Sequence, residues 1–299
     1  MVFQTESANL WTQRFLTPHL NIRKLFHNTV ITMLEKTLLP LSLNEPLQTL
    51  ENLAEFISHF GTKKVYLCHV TSGRKSRQMQ KREQELEDRA GLFRNQNMDV
   101  EIIIREGTIA NSVCRLTGEL DVDYLTIPWK KKNVIKRSIL SSPDIDLLRI
   151  CSFPTLIYRP PGYLNSSNKP NTIVYATDCR EADKKVLPYL KSVPFNAERL
   201  FFLHVRARAP DPETDKKRIE ELTEKLNRLA DQCRDNYSEV KPLLATGSIR
   251  SLIGRKSRKA GADLIVIGRN EKINTMNKML GSTAESVPHR TSTPILIIT

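Results

Sequence analysis

The sequence contains no run of about 18 apolar residues, so we expect no membrane-spanning helix. Its 5 cysteines are scattered without a CxxC pair, which suits a reducing cytosol better than a disulfide framework. Residues 1–35 lack the apolar core of a secretory signal, and we expect an ordered extension there rather than a transit peptide. Together these absences predict a cytoplasmic protein.

The usual signatures of catalysis and metal binding are also missing. There is no GxxxxGK[ST] phosphate loop, and no cluster of histidine, cysteine and acidic residues has metal-site spacing. His69 and His204 end apolar runs, where a hydrogen-bonded structural histidine is more common than a base or a ligand. We therefore predict that the protein is not an enzyme.

The net charge of +13 is concentrated in the second half of the chain. A basic protein could favour phosphate-bearing partners, nucleic acid or an anionic membrane. The basic residues are interleaved with acidic ones, as in Lys216–Arg228, and this pattern favours a solvated surface. Because a nucleic-acid role would depend on charge alone, we do not expect one.

The most informative feature that is present is an internal duplication. Residues 107–157 and 247–297 match at a constant offset without a gap, so that Gly107 corresponds to Gly247 and Asp123 to Asp263. A repeat of this length implies two whole domains rather than a solenoid.

Each copy alternates helices with strands that are apolar throughout, such as Val65–Val70 and Leu200–Val205. This pattern predicts an α/β fold of two tandem doubly wound domains with parallel sheets. We place the boundaries where the composition changes, with a linker rich in proline, glycine, asparagine and serine. The predicted segments are an extension at 1–35, a domain at 36–159, the linker at 160–170 and a domain at 171–299.

Doubly wound sheets bind ligands beyond the carboxyl ends of their strands, where the strand order reverses. In the second copy these ends hold Asp178 after the first strand, Val205 after the second and Gly268 after the fourth. Gly268 opens a loop of the form Gly268-x2-Glu271-x9-Gly281-Ser282-Thr283. Glycine backbone, a serine hydroxyl and the free N–H groups of a helix start would form an anion cradle there.

These residues resemble the universal stress protein family, whose nucleotide-binding members carry G-x2-G-x9-G-S/T after the fourth strand and an aspartate after the first. The segments Asp263–Gly268, Gly281–Glu285 and Ser292–Ile297 are typical of that family, and the resemblance covers residues 36–299. It implies a five-stranded parallel sheet flanked by helices in each domain. It also implies that the two domains pack as a pseudo-twofold pair.

The same resemblance implies an adenine nucleotide as the ligand, with its phosphates on the glycine loop and Asp178 as a hydrogen-bond acceptor. The candidate ligands are ATP, ADP and AMP, bound weakly and with a bias towards mono- or diphosphates. No metal is expected beyond magnesium that accompanies a nucleotide. The residues carried over from the family pattern are Thr177, Asp178, Val205, Ile267, Gly268, Gly281, Ser282 and Thr283.

Two departures from the family pattern bear on this site. Glu271 replaces the second loop glycine, and it either repels phosphate, at a cost on the order of a few kcal/mol, or turns to solvent without effect. In the first copy the aspartate and glycine positions hold Ser42, Pro128, Lys131 and Ser141. We therefore interpret the first copy as structural or regulatory.

The sequence thus predicts a non-catalytic stress-response protein with a weak or specialised adenine-nucleotide site in its C-terminal domain. The alternative is an interaction or regulatory module with two degenerate sites, whose function is carried by unknown protein partners. Either form could also pair with itself as a homodimer. Slow consumption of ATP ranks last, because no base or magnesium ligand is evident beyond Asp178.

Overall fold

The computed structural model describes residues 34–71, 73, 76–128, 143–159, 169–192, 195–269 and 287–299. Every described residue belongs to one compact unit, Thr32–Thr299. Most of the predicted extension at 1–35 and most of the predicted linker at 160–170 therefore lie outside the described residues.

Strands and helices alternate along the described chain. The first half comprises β1 (Lys36–Pro40), α1 (Leu47–Ser58), β2 (Lys64–Thr71), α2 (Ser76–Arg94), β3 (Asp99–Glu106), α3 (Ile109–Glu119), β4 (Tyr124–Pro128), α4 (Pro143–Ile150) and β5 (Thr155–Tyr158). The second half comprises β6 (Thr172–Ala176), α5 (Ala182–Ser192), β7 (Arg199–Arg206), α6 (Pro212–Asp231), β8 (Glu239–Thr246), α7 (Ile249–Lys259), β9 (Leu264–Gly268) and β10 (Ile295–Ile298).

All ten strands pair into one sheet with the order β3-β2-β1-β4-β5-β10-β9-β6-β7-β8. The pairing is parallel within each half, so the predicted fold of two doubly wound, five-stranded parallel sheets is confirmed. The structure adds that β5 and β10 pair antiparallel, with Leu156 opposite Leu296. The two sheets therefore continue into each other across this single strand pair.

Helices cover both faces of the sheet because its strands are apolar on both sides, as parallel sheets require. Buried residues form one cluster with α1, α2, α5 and α6 and another with α3, α4 and α7. In the first cluster Phe60 and Phe195, one from each half, pack edge to face with ring centroids 5.1 Å apart. Both clusters include residues of both halves, so the halves share their apolar core.

Corresponding residues of the two halves share backbone conformations and side chain–backbone hydrogen bonds. Gly107 and Gly247 take positive φ values of 136° and 141°, a conformation that favours glycine, at the same point before α3 and α7. The carboxylate of Asp123 accepts from the amide of Lys36 at 2.9 Å, and that of Asp263 accepts from the amide of Thr172 at 2.9 Å. Each aspartate directly precedes its own strand, β4 or β9, and bonds to the first residue of the neighbouring strand, β1 or β6.

An ion pair ties the end of β7 to the start of α6. Arg206 donates from Nη1 and Nη2 to the carboxylate of Asp215 at 2.5 and 2.8 Å, and the Ala209 amide donates to it at 2.7 Å. The side chains of Arg206 and Asp215 are largely buried. Arg206 first, and then the Ala209 N–H group, hold the pKa of Asp215 well below its ordinary value.

A lowered pKa in the folded protein gives a stability contribution that is present above the ordinary carboxyl pKa, about 4, and is lost as the pH falls through the lowered value. We therefore expect Asp215→Asn to be less stable than wild type at pH 7, with a difference that shrinks below about pH 4. Urea unfolding of the wild type and of Asp215→Asn across this pH range measures the stability difference at pH 7 and its decrease at lower pH.

The matched control is Glu213→Gln. Glu213 lies on the same turn of α6, but its ion pair with Lys217 is exposed and should contribute little. This variant should follow the wild type at every pH. A pH profile of Asp215→Asn parallel to that of the wild type would contradict the role assigned to the buried pair.

The cysteines depart from the expectation of free thiols. Cys114 on α3 and Cys151 after α4 form a disulfide with a Cα–Cα distance of 5.4 Å. Spacing could not reveal this pair, because the two cysteines are separated by 37 positions and are brought together only by the packing of α3 against α4. Cys68, Cys179 and Cys233 are free.

Among the described residues, no helix combines the length and apolar character needed to cross a membrane.

Candidate functional site

The strand order reverses between β6 and β9 in the second half. From β6 the chain proceeds to β7 and β8 on one side, whereas β9 and β10 lie on the other. The carboxyl ends of β6 and β9 are therefore the place where a ligand crevice is expected in this fold. Thr177 and Asp178 follow β6 there, and Gly268 ends β9.

A buried hydrogen-bond network holds the backbone that follows β6. The hydroxyl groups of Tyr175 and Thr177 both donate to Oδ1 of Asp183 at 2.5 Å. Thr177 Oγ1 in turn accepts from the amide of Cys179 at 2.8 Å. Burial raises the pKa of Asp183, opposed by these two hydroxyl groups. Thr177 is thus a structural member of the site, and its hydroxyl is already engaged within the protein.

Asp178 lies at the exposed tip of this turn. Its Oδ1 accepts from the amide of Arg180 at 3.2 Å, and Cys179 takes a positive φ of 58°. An aspartate that bonds to the backbone two residues later stabilises such a turn. The turn therefore presents the Asp178 carboxylate to solvent at the carboxyl edge of the sheet, where an acceptor can meet a ligand.

The side chains of Val205 and Ile267 are more deeply buried than their predicted roles as ligand-contacting residues suggest. Strand β7 continues to Arg206, so Val205 is inside the strand rather than after it. The side chains of Val205 and Ile267 are 7% and 2% exposed and belong to the same apolar cluster. Their side chains therefore belong to the core, and only their backbone groups could face a ligand at the edge of the sheet.

Gly268 is required by packing against α5. A Cβ atom at this position would lie 2.6 Å from Ala182 Cβ and 3.0 Å from Val186 Cγ2. The first of these contacts is shorter than real Cβ atoms show, and Ala182 Cβ is fixed to the helix backbone. The close approach of α5 to β9 therefore explains this glycine by itself, whatever the ligand.

The remaining predicted site residues, Gly281, Ser282 and Thr283, lie outside the described residues, as does Glu271. The described part of the site therefore consists of the turn after β6, the end of β7 and the end of β9.

Sequence reasoning did not single out Asp183, Tyr175 or Cys179. The sequence offered no clear signal for Asp183, because an acidic residue in the first turn of a helix is common and only the structure shows that this one is buried. Burial raises the pKa of the Cys179 thiol to about 11, so this cysteine stays protonated at neutral pH and is a poor nucleophile.

The two predicted structural histidines take equivalent positions. His204 Nδ1 lies 3.0 Å from the Thr177 carbonyl oxygen, and His69 Nδ1 lies 2.9 Å from that of Leu41. Each ring thus holds the chain after the first strand of its half, which agrees with the interpretation of satisfied structural residues. Among the described residues no group of three or more histidine, cysteine, aspartate or glutamate side chains could hold a metal ion.

The first half has the same turn with different chemistry. Leu43, like Cys179, takes a positive φ, here 66°, and Ser42 occupies the position of Asp178. The Ser42 hydroxyl donates to Glu45 Oε1 at 2.5 Å, and the Ser42 amide donates to the same oxygen at 3.0 Å. A carboxylate of the protein itself therefore engages the groups that a ligand would meet in this half.

A sequence model described as the universal stress protein family matches residues 170–299. The second half of the chain is therefore similar to the universal stress protein family. A universal stress protein of Methanocaldococcus jannaschii is 23% identical over 150 residues, which cover 42% of this chain and 93% of that protein. Universal stress protein G of Escherichia coli O157:H7 is 33% identical over 79 residues, covering 26% of this chain and 54% of that protein.

The universal stress protein fold extends over both halves. The crystal structure of a universal stress protein from Archaeoglobus fulgidus superposes with a TM-score of 0.66, covering 91% of this chain and 98% of that chain. The two sequences are 16% identical, so this similarity concerns the fold.

Proposed function

We propose that this protein is a non-catalytic, cytoplasmic stress-response protein of the universal stress protein family, and that it binds an adenine nucleotide weakly at the carboxyl edge of β6 and β9. The observation that carries the proposal is the exposed Asp178 carboxylate, which lies on a hydrogen-bonded turn at the point where the strand order reverses. This position is where an open parallel sheet offers a ligand crevice, and Asp178 supplies an acceptor there.

The residues around Asp178 suit a binding role better than a chemical one. Thr177, Tyr175 and Asp183 satisfy one another and fix the turn, so they preorganise Asp178 rather than react. Asp178 would accept a hydrogen bond from the base or ribose. The sequence then offers Gly281, Ser282 and Thr283 for the phosphates, with magnesium entering only together with the nucleotide.

The experiment is calorimetric titration of ATP, ADP and AMP into the wild type, Asp178→Ala and Ser42→Ala. Ser42 is the matched control, because it takes the same position in the first half. We expect wild-type binding, a loss of about 10- to 100-fold in affinity for Asp178→Ala, and no change for Ser42→Ala. Equal affinity of wild type and Asp178→Ala would place the ligand elsewhere and contradict the proposal.

The second candidate is an interaction module in which neither half binds a nucleotide and protein partners, or a second copy of the chain, carry the function. The Ser42–Glu45 contact favours this reading for the first half, because it leaves a protein carboxylate at the ligand position. Glu271→Gly discriminates the candidates. Absence of wild-type binding at millimolar nucleotide, with binding restored in Glu271→Gly, would show that Glu271 closed an inherited site.

A further inference from the structure

The disulfide between Cys114 and Cys151 lies in the first half, between α3 and the end of α4. Cys114 is on α3 and is partly exposed, whereas Cys151 follows α4 and is 2% exposed. The bond joins the two helices that cover one face of the first five strands. Reduction of this bond would therefore remove the covalent link between α3 and the end of α4.

The second half shows that the closeness of these two positions belongs to the fold. The counterparts of Cys114 and Cys151 in the duplication are Gly254 and Thr291. A Cβ atom at Gly254 would lie 3.3 Å from Thr291 Cβ, close to the separation of about 3.5–4.5 Å between the Cβ atoms of a disulfide. Both halves thus bring the same two positions together, and the first half fills them with sulfur.

The residue at the end of the bond also contacts the second half. Arg269, which directly follows β9 and is 6% exposed, donates from Nη1 to the carbonyl oxygens of Cys151 at 3.2 Å and of Leu148 at 3.4 Å. Its backbone amide donates to the Ile298 carbonyl oxygen at 2.7 Å. The end of α4 is therefore tied on one side to α3 by the disulfide and on the other to β9 by Arg269.

A second arginine makes a contact across the junction in the opposite direction. Arg159, after β5, donates from Nη1 to the carbonyl oxygen of Thr291 at 3.1 Å. Thr291 is the counterpart of Cys151, but no disulfide supports it, since its neighbour is Gly254. The chain thus contains two arginine contacts across the junction, one in each direction, and that of Arg269 reaches a disulfide-bonded cysteine.

We propose that Cys114–Cys151 is a reversible thiol–disulfide site, reduced by dithiols, and that its oxidation state sets how firmly Arg269 ties the second half to the first. In the reductive direction a dithiol thiolate attacks the more accessible Sγ of Cys114. The S–S bond breaks, and Cys151 leaves as a thiolate that takes up a proton. The second dithiol sulfur then attacks the mixed disulfide, releases Cys114 and closes the oxidised dithiol. Two electrons and two protons pass to the protein.

The chemistry is tested by counting thiols in the unfolded protein after incubation with oxidised or reduced dithiothreitol. In the oxidised protein we expect only Cys68, Cys179 and Cys233 to be alkylated, and in the reduced protein all 5 cysteines. Mass spectrometry should find a 114–151 cross-link, absent in Cys114→Ser. Five free thiols under both conditions, or a cross-link that joins a different pair, would overturn the proposal.

The structural consequence is tested by amide hydrogen exchange at Arg269, measured by NMR. We expect this amide to exchange about tenfold faster in reduced than in oxidised wild type, while the Thr177 amide, bonded to Leu203, changes little. In Arg269→Gln the difference between oxidation states should disappear, and in the matched control Arg159→Gln it should persist. Equal exchange at Arg269 in both states of the wild type would refute the coupling, and neither measurement involves a nucleotide.

Discussion

Phe60→Ala is expected to lower the free energy of unfolding by about 3–5 kcal/mol, the usual cost of truncating a fully buried phenylalanine. Phe60 is 1% exposed and packs its ring against Phe56, Tyr124 and Phe195, with centroids 5.3, 6.4 and 5.1 Å away. The contact with Phe195 joins the two halves, so the cavity would open in their shared core. Urea denaturation monitored by far-ultraviolet circular dichroism measures the change.

The control is Leu47→Ala on the preceding helix α1. Leu47 is 55% exposed, so its truncation should change stability by no more than about 0.5 kcal/mol. The double variant Phe60→Ala/Phe195→Ala should be less destabilised than the sum of the two single variants, because the pair is in contact. Additive effects would mean that the two rings do not stabilise the junction together.

Gly268→Ala is expected to destabilise the protein by about 1–3 kcal/mol, because the added methyl group would overlap Ala182 Cβ at 2.6 Å and force α5 away from β9. Removing the opposing methyl group in Ala182→Gly should recover much of this loss. A double-mutant cycle by urea denaturation therefore should show an interaction energy on the order of 1 kcal/mol between the two positions.

A glycine in open space provides the contrast. No heavy atom lies within 4 Å of a Cβ added at Gly91 on α2, so Gly91→Ala should be neutral or stabilising, by up to about 1 kcal/mol, as expected inside a helix. If Gly268→Ala proved as mild as Gly91→Ala, packing would not be the reason for glycine at the end of β9. A role of Gly268 in a ligand loop would then be the better explanation of the glycine.

Much of the fold was predictable from local pattern. The strands were predictable because a parallel strand covered on both faces is a short, continuous apolar run, and such runs stand out beside charged helices. Helix α4 was not predicted, since eight residues with two acidic side chains carry too short an apolar repeat to be recognised. The candidate site was predicted less completely. Asp178 and Gly268 come to the expected edge of the sheet, whereas Val205 lies within its strand.

The sequence by itself determined the duplication, the alternation of strands and helices and the residues at the carboxyl ends of β6 and β9, because each depends on residues close together in the chain. Only the tertiary structure decided three further features. Strands β5 and β10 pair and join the two sheets, α5 packs so closely on β9 that position 268 must be glycine, and Cys114 lies next to Cys151. These contacts join residues far apart in the sequence. Their partners are chosen by how the helices and strands pack, and no local pattern records that choice.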